Sequence, residues 1–277
     1  MKLGKERIVT DRIWEELIGD GPLLATAVHD GHQVRDEVLS LLALDDMSRL
    51  REEDPFTSCW TTIAPTRLIG LRSRFEVDLN RPREKAVYVT PDDAWGLTVW
   101  KEELPVSVIE ESLAEYDAFF ARLKTILDAK VAEHGHFVLF DLHTYNHRRE
   151  GAGGPEADPA TNPQVNIGTG TMNRELWGDV VDCFIAGLRS YDFPGGHLDV
   201  RENVKFQGGN VPRWVHDNYP KTGCALAIEY KKFFMDEWTG EPNASLVEAI
   251  GSSLSWTVQG IMAALAALAA LKPSPAV

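Results

Sequence analysis

The chain has 277 residues, of which 44% are hydrophobic and 25% charged. These are the values of a globular protein and exclude a disordered, collagen-like or disulfide-scaffold chain. With 28 Lys plus Arg against 42 Asp plus Glu, the formal charge is −14, a field that repels phosphate backbones and anionic lipid and argues against nucleic acid or a membrane as the main partner. The three cysteines, Cys59, Cys183 and Cys224, form no C-x-x-C pair and read as reduced, mostly buried thiols. The N-terminal MKLGKERIVTDRIWEEL carries no apolar stretch of signal-peptide type, so the expectation is a soluble cytoplasmic protein.

Short apolar runs alternate with helical patterns along the chain. LLATAV at 23–28 stops at His29-Asp30-Gly31, as a buried strand ending in a loop does. A helix is expected over 34–44 and strands over 66–71, 86–90 and 96–100. Between 105 and 133, Ile109, Leu113, Tyr116, Phe120, Leu123 and Leu127 recur at threes and fours, and Pro105 and Gly135 frame a long amphipathic helix. HFVLFDL at 136–142 reads as a second buried strand, ending at His143. Segment 146–163 is rich in Gly, Pro and charge and predicts a long loop, mobile or functional. A helix over 177–188, a strand over 197–202, the buried strand CALAIEY at 224–230 and a helix from about 242 to 271 complete the reading. The apolar run at 260–271 is too short to span a bilayer. This alternation predicts one α/β domain over 1–277, three-layer α/β/α with a mixed, mostly parallel sheet. Ligands bind at the carboxyl ends of such strands, where His29, His143 and Glu229 fall.

Three sets of residues carry chemistry. His29 in HDGH and His143 in DLHT are imidazoles at strand ends; a catalytic zinc typically takes three protein ligands plus water, and Asp141 is placed to orient the His143 ring. The competing reading is a pair of hydrogen-bonded loop histidines. SRFEVDLNR at 73–81 brings together Arg74, Asn80 and Arg81, suited to gripping a carboxylate and polarising a carbonyl, unless the arginines only pair with Glu76 or Asp78. Glu229, inside an otherwise apolar strand, suits a general base with a raised pKa, against a structural ion pair with Lys231 or an Arg. NIGTGT at 166–171 and FQGGNVPR at 206–213 are read as a Gly/Thr loop and a turn. Neither is a P-loop or a G-x-G-x-x-G fingerprint, and there is no G-x-S-x-G or H-E-x-x-H.

Taken in order, VHDG at 28–31, SRFEVDLNRP at 73–82, FDLHT at 140–144, NIGT at 166–169, FQGGNVPR at 206–213 and IEYKKFFMDE at 228–237 resemble the N-formylglutamate amidohydrolase (N-formylglutamate deformylase) family. DLNR and DLHT also resemble the aspartoacylase and zinc carboxypeptidase group. The resemblance implies a zinc carboxypeptidase-like fold and a zinc ion, or another divalent metal, held by His29, His143 and a third ligand. That ligand is Asp54, nominated by the acidic REEDP at 51–55, with His32 as the alternative from the relatives' H-x-x-E. It further implies Glu229 as the water-activating base, Arg74 near the scissile carbonyl, and Asn80 and Arg81 on the substrate α-carboxylate. Arg213 and the turn containing Gly208 and Asn210 would grip the rest of the amino acid. The implied reaction is hydrolysis of the amide of a small N-acyl amino acid, N-formyl-L-glutamate to L-glutamate and formate. A metallocarboxypeptidase or peptide amidase on the same fold, or a non-catalytic binder of an amino acid or dicarboxylate, fits the same residues. Oligomeric state is left open.

Overall fold

The computed structural model describes residues 12–270; most of the N-terminal stretch discussed above, and Leu271, lie outside them. Seven strands form one sheet in the order β1-β3-β2-β4-β7-β5-β6. They are β1 (Trp14–Leu17), β2 (Leu23–Ala27), β3 (Thr66–Gly70), β4 (Phe137–Tyr145), β5 (Val165–Gly168), β6 (Val200–Glu202) and β7 (Gly223–Lys231). β2 pairs in parallel with β3 and β4, β4 with β7 and β5 with β6. β1 against β3 and β5 against β7 are antiparallel. The sheet is mixed and mostly parallel, as expected.

The helices are α1 (Asp36–Leu41), α2 (Asp46–Glu52), α3 (Thr57–Trp60), α4 (Val106–His134), α5 (Arg174–Ser190), α6 (Asn210–Asn218) and α7 (Ala244–Ala270). Side chains alternate across a strand, and β4 shows which layer each face meets. Val138, Phe140 and Leu142 pack in one core with Phe184 and Leu188 of α5 and Ile250, Leu254 and Ile261 of α7. Phe137 and Leu139 pack in another with Phe119, Phe120 and Leu123 of α4 and Val211 and Val215 of α6. With both faces covered, β4 and β7 are buried along their whole length, which is why their sequences are continuous apolar runs. The same alternation sends Asp141 and His143 of β4, and Ala225 and Glu229 of β7, to the α4/α6 side. α7 is, by length and composition alone, long and apolar enough to cross a membrane; here one of its faces is buried against α5 and the sheet.

Several expectations are corrected. Segments 86–90 and 96–100 are not strands: the region carries 3-10 turns, and its sheet-like contact is a single bridge between Leu42 and Trp100. Val87, Tyr88 and Val99 are apolar because they form a separate small core with Val38 of α1, without a ladder partner. The 206–213 turn leads into α6, and 166–168 belongs to β5 rather than to a loop. Of the thiols only Cys224 is buried; Cys183 is half-buried and Cys59 exposed.

Candidate active site

β2, β4 and β7 run parallel, so their carboxyl ends meet at one rim of the sheet. His143 and Glu229 are direct register partners there, and His29 follows two residues after β2. Asp54 arrives from the other direction, just past the end of α2. Its backbone N–H donates to the His29 carbonyl at 2.9 Å, and its Oδ1 accepts from Thr144 Oγ1 at 2.9 Å. Buried Lys232, directly after β7, clamps the same segment by donating to the Arg51 and Glu53 carbonyls at 2.6 and 2.7 Å. The acidic side chain is thus fixed by contacts from two strand ends.

These placements converge on one buried group, His29, Asp54 and His143, whose ligand-type atoms all lie within 4.8 Å of one another. Asp54 Oδ2 is 3.3 Å from His29 Nδ1 and 3.0 Å from His143 Nδ1. On the far side of each ring, His29 Nε2 lies 2.7 Å from Asp78 Oδ1 and His143 Nε2 lies 2.9 Å from Asp141 Oδ2. Each ring therefore meets a carboxylate at both nitrogens, and a carboxylate only accepts, whereas a neutral imidazole has one proton to give. One nitrogen of each neutral ring thus turns a lone pair toward a carboxylate oxygen, which is repulsive unless a cation or an extra proton sits between them. Tetrahedral ligands at about 2.0–2.2 Å from a metal are about 3.3–3.6 Å apart; the two Asp54 contacts, at 3.0 and 3.3 Å, are close to that spacing, and the donor types suit a divalent ion. The group can bind a metal.

The group forms the floor of a cleft of about 410 Å³, the size of a small-molecule site. Glu229 lines it, and burial raises its carboxyl pKa to about 7, opposed by the nearby His143. Arg74 lines it too, held by Asp78 Oδ2 at 2.8 Å, the Glu52 carbonyl at 3.1 Å and the Tyr88 hydroxyl at 3.2 Å. Asn80 Nδ2 lies 3.2 Å from His143 Nε2, and its Oδ1 accepts from Val211 N–H at 3.0 Å. Arg81, one-third exposed, donates to the Asp93 carbonyl at 3.3 Å. Gly208 is in the wall with a φ of +114°, and Gly209 presses so closely that an added Cβ would meet the Asn80 amide at 2.2 Å.

Three candidates lie elsewhere. His32 is outside the group, bonded through Nδ1 to Glu53 Oε2 at 2.5 Å and through Nε2 to Arg49. Asn210 turns away to donate to the Tyr116 hydroxyl at 2.9 Å, and Arg213 is on the exposed face of α6, not in the cleft lining. Conversely, the cleft contains Arg149 and Lys205, which no motif includes, and Glu52 and Lys232, which lie within REEDP and IEYKKFFMDE but carry no assigned role there. Asp78 enters the sequence reading only as an ion-pair partner for the arginines; it does pair with Arg74, and it also holds His29.

The sequence model of a family described as N-formylglutamate amidohydrolase matches residues 21–234, whereas no curated protein matches the chain. Among solved structures, an N-formylglutamate amidohydrolase from Ralstonia eutropha JMP134 is similar, with 17% identity, a TM-score of 0.69, and 91% of this chain and 96% of that chain covered. A gene product of Agrobacterium tumefaciens gives 18% identity and a TM-score of 0.58 over 88% and 95% of the two chains. At these identities the likeness is one of fold.

Proposed function

Because the chain belongs to the N-formylglutamate amidohydrolase family, we propose that it hydrolyses the amide of a small N-acyl amino acid, N-formyl-L-glutamate to L-glutamate and formate, in a zinc-dependent reaction. The observation that carries this reading is the buried His29–Asp54–His143 group with Glu229 in register beside His143 at the floor of one cleft. His29, Asp54 and His143 would hold the ion. When bound, zinc supplies a Lewis acid and lowers the pKa of water to about 7.

The chain's own residues do the rest. Glu229 takes the proton of the attacking water on its carboxylate and returns one to the leaving amine nitrogen; a pKa of about 7 suits both directions. Arg74 has five N–H donors, and three are committed to Asp78, Glu52 and Tyr88. The remaining two, on its Nη atoms, are left to donate to the acyl oxygen as negative charge develops there. Arg81 and Asn80 take the α-carboxylate and so position the amide.

Formate release from N-formyl-L-glutamate, assayed beside the metal content of the purified protein, tests this. About one zinc per chain and chelator-sensitive activity are expected. Full activity after removal of the metal, or no formate from any N-formyl amino acid with zinc supplied, overturns it.

A further inference from the structure

Two basic side chains of the cleft have no part in that reaction. Arg149 comes from the segment after β4 and Lys205 from the segment after β6, and both line the same cleft as His29, His143 and Glu229. Among the described residues no carboxylate lies within ion-pair distance of Lys205. Its Nζ donates to the neutral Asn162 Oδ1 at 2.5 Å and stands over the Tyr145 and Phe206 rings at 5.1 and 5.5 Å from their centroids. Arg149 reaches Glu52 at 3.3 Å, and Glu52 is shared with Arg51 at 3.8 Å. Burial lowers the Lys205 pKa, the positive charge of Arg149 lowers it further and the Glu229 carboxylate opposes them, so the two cations sense each other within the cleft.

The other cleft cations are differently committed. Arg74 is neutralised by Asp78, and Lys232 is capped by backbone carbonyls. Arg81 belongs to a separate stretch of wall, the 73–95 segment, beside Tyr88 and Trp95. Arg149 and Lys205 therefore make a second basic spot with an incomplete share of negative charge, in a chain whose net charge is −14. Holding two like charges together costs free energy that an anion placed between them offsets. A guanidinium fork and a mobile ammonium are together well suited to a carboxylate, and the Tyr145 and Phe206 rings offer apolar surface to the methylenes that carry it.

We propose that Arg149 and Lys205 are the specificity-determining pair of this cleft, receiving the side-chain carboxylate of an acidic N-acyl amino acid while Arg81 takes the α-carboxylate. The proposal rests on the amide-hydrolase reading above. A neutral side chain of the same length leaves the two cations unneutralised, so discrimination is by charge rather than by size.

The test compares Arg149→Gln, Lys205→Met and the double variant with wild type, all zinc-loaded, on N-formyl-L-glutamate and N-formyl-L-glutamine. Both side chains are exposed at the cleft mouth, so the substitutions leave the core untouched. In each single variant the ratio of kcat/KM for the acidic over the neutral substrate falls about 10- to 100-fold, the value of a charge-assisted hydrogen bond; Arg149→Lys retains part of it. Titration calorimetry with L-glutamate and L-glutamine reads the same preference without turnover, present in wild type and lost in the double variant. An unchanged ratio in the variants, or a wild type without preference for the acidic compound, overturns the proposal even where deformylation is observed. Charge-selective glutamate binding without hydrolysis of either substrate upholds the subsite and removes the hydrolase reading instead.

Discussion

Glu229→Gln changes one charge at nearly constant shape, and the structure ties two measurable effects to it. Burial raises this carboxyl from the ordinary 4.5 to about 7. The folded chain thus binds the Glu229 proton more tightly than the unfolded chain does. Its contribution to stability is fully present below the unfolded pKa and is lost as pH rises through the folded one, between about 4.5 and about 7. At 1.36 kcal/mol per unit, the loss is about 3 kcal/mol above neutrality, a large share of the 5–15 kcal/mol typical of a domain. Gln cannot ionise. Metal-free Glu229→Gln is therefore expected to match wild type in urea unfolding at about pH 4.5 and to exceed it by up to about 3 kcal/mol at about pH 8.

The catalytic effect has the opposite sign. As general base, Glu229 must be ionised, so wild-type kcat/KM rises with pH as this carboxyl loses its proton, and the variant loses at least about a hundredfold in kcat. A bound divalent cation favours the carboxylate, so with zinc the activity limb lies below the metal-free value of about 7 and the stability gain of the variant shrinks. A variant that is no more stable than wild type at alkaline pH refutes the desolvated carboxyl. One that keeps more than about a hundredth of wild-type kcat refutes its role as the base.

The metal group makes its own predictions. His29→Ala and His143→Ala each abolish stoichiometric zinc by elemental analysis, whereas His32→Ala retains it, because His32 is bonded to Glu53 and Arg49 outside the group. Asp78→Asn disturbs the partner of both His29 Nε2 and Arg74, and zinc affinity by competition with a chelating dye falls about 10- to 100-fold. Gly209→Ala places a Cβ 2.2 Å from the Asn80 amide, pushing that side chain off His143, so kcat/KM falls at least about tenfold; Gly153→Ala, with nothing within 4 Å, leaves it unchanged.

How much of this was legible in the sequence depends on where a residue's neighbours come from. β4 and β7 announce themselves because both faces are covered, and an unbroken apolar run records that directly. A polar residue at the end of such a run, His143 or Glu229, is conspicuous for the same reason, and strand register then makes the two neighbours. The same logic misleads at 86–90 and 96–100. Val87, Tyr88 and Val99 are as buried as strand residues, but against α1 and one another, and apolar density does not say whether a ladder exists. α6 was hidden by its Gly-Gly-Asn start, although Pro212, in the first helical turn where a missing N–H costs nothing, is compatible with a helix.

Asp54 marks the point at which local sequence stops being enough. Glu52, Glu53 and Asp54 are consecutive acids, and nothing in their order distinguishes them. Their fates diverge through partners far along the chain. Glu52 faces Arg149, Glu53 takes His32 and the Ser73 hydroxyl, and Asp54 meets His29, His143 and Thr144. Only resemblance to a family could choose among them beforehand. Arg149 and Lys205 lacked even that help: an Arg before a Gly-rich stretch and a Lys in a connecting segment look like solvated loop residues until β4 and β6 deliver them to one cleft. What a sequence displays is chemistry supported by its own strand or helix. Where several loops jointly hold a charge, as around Asp54, the arrangement is a property of the fold, and the tests that matter are those that change one loop's contribution at a time.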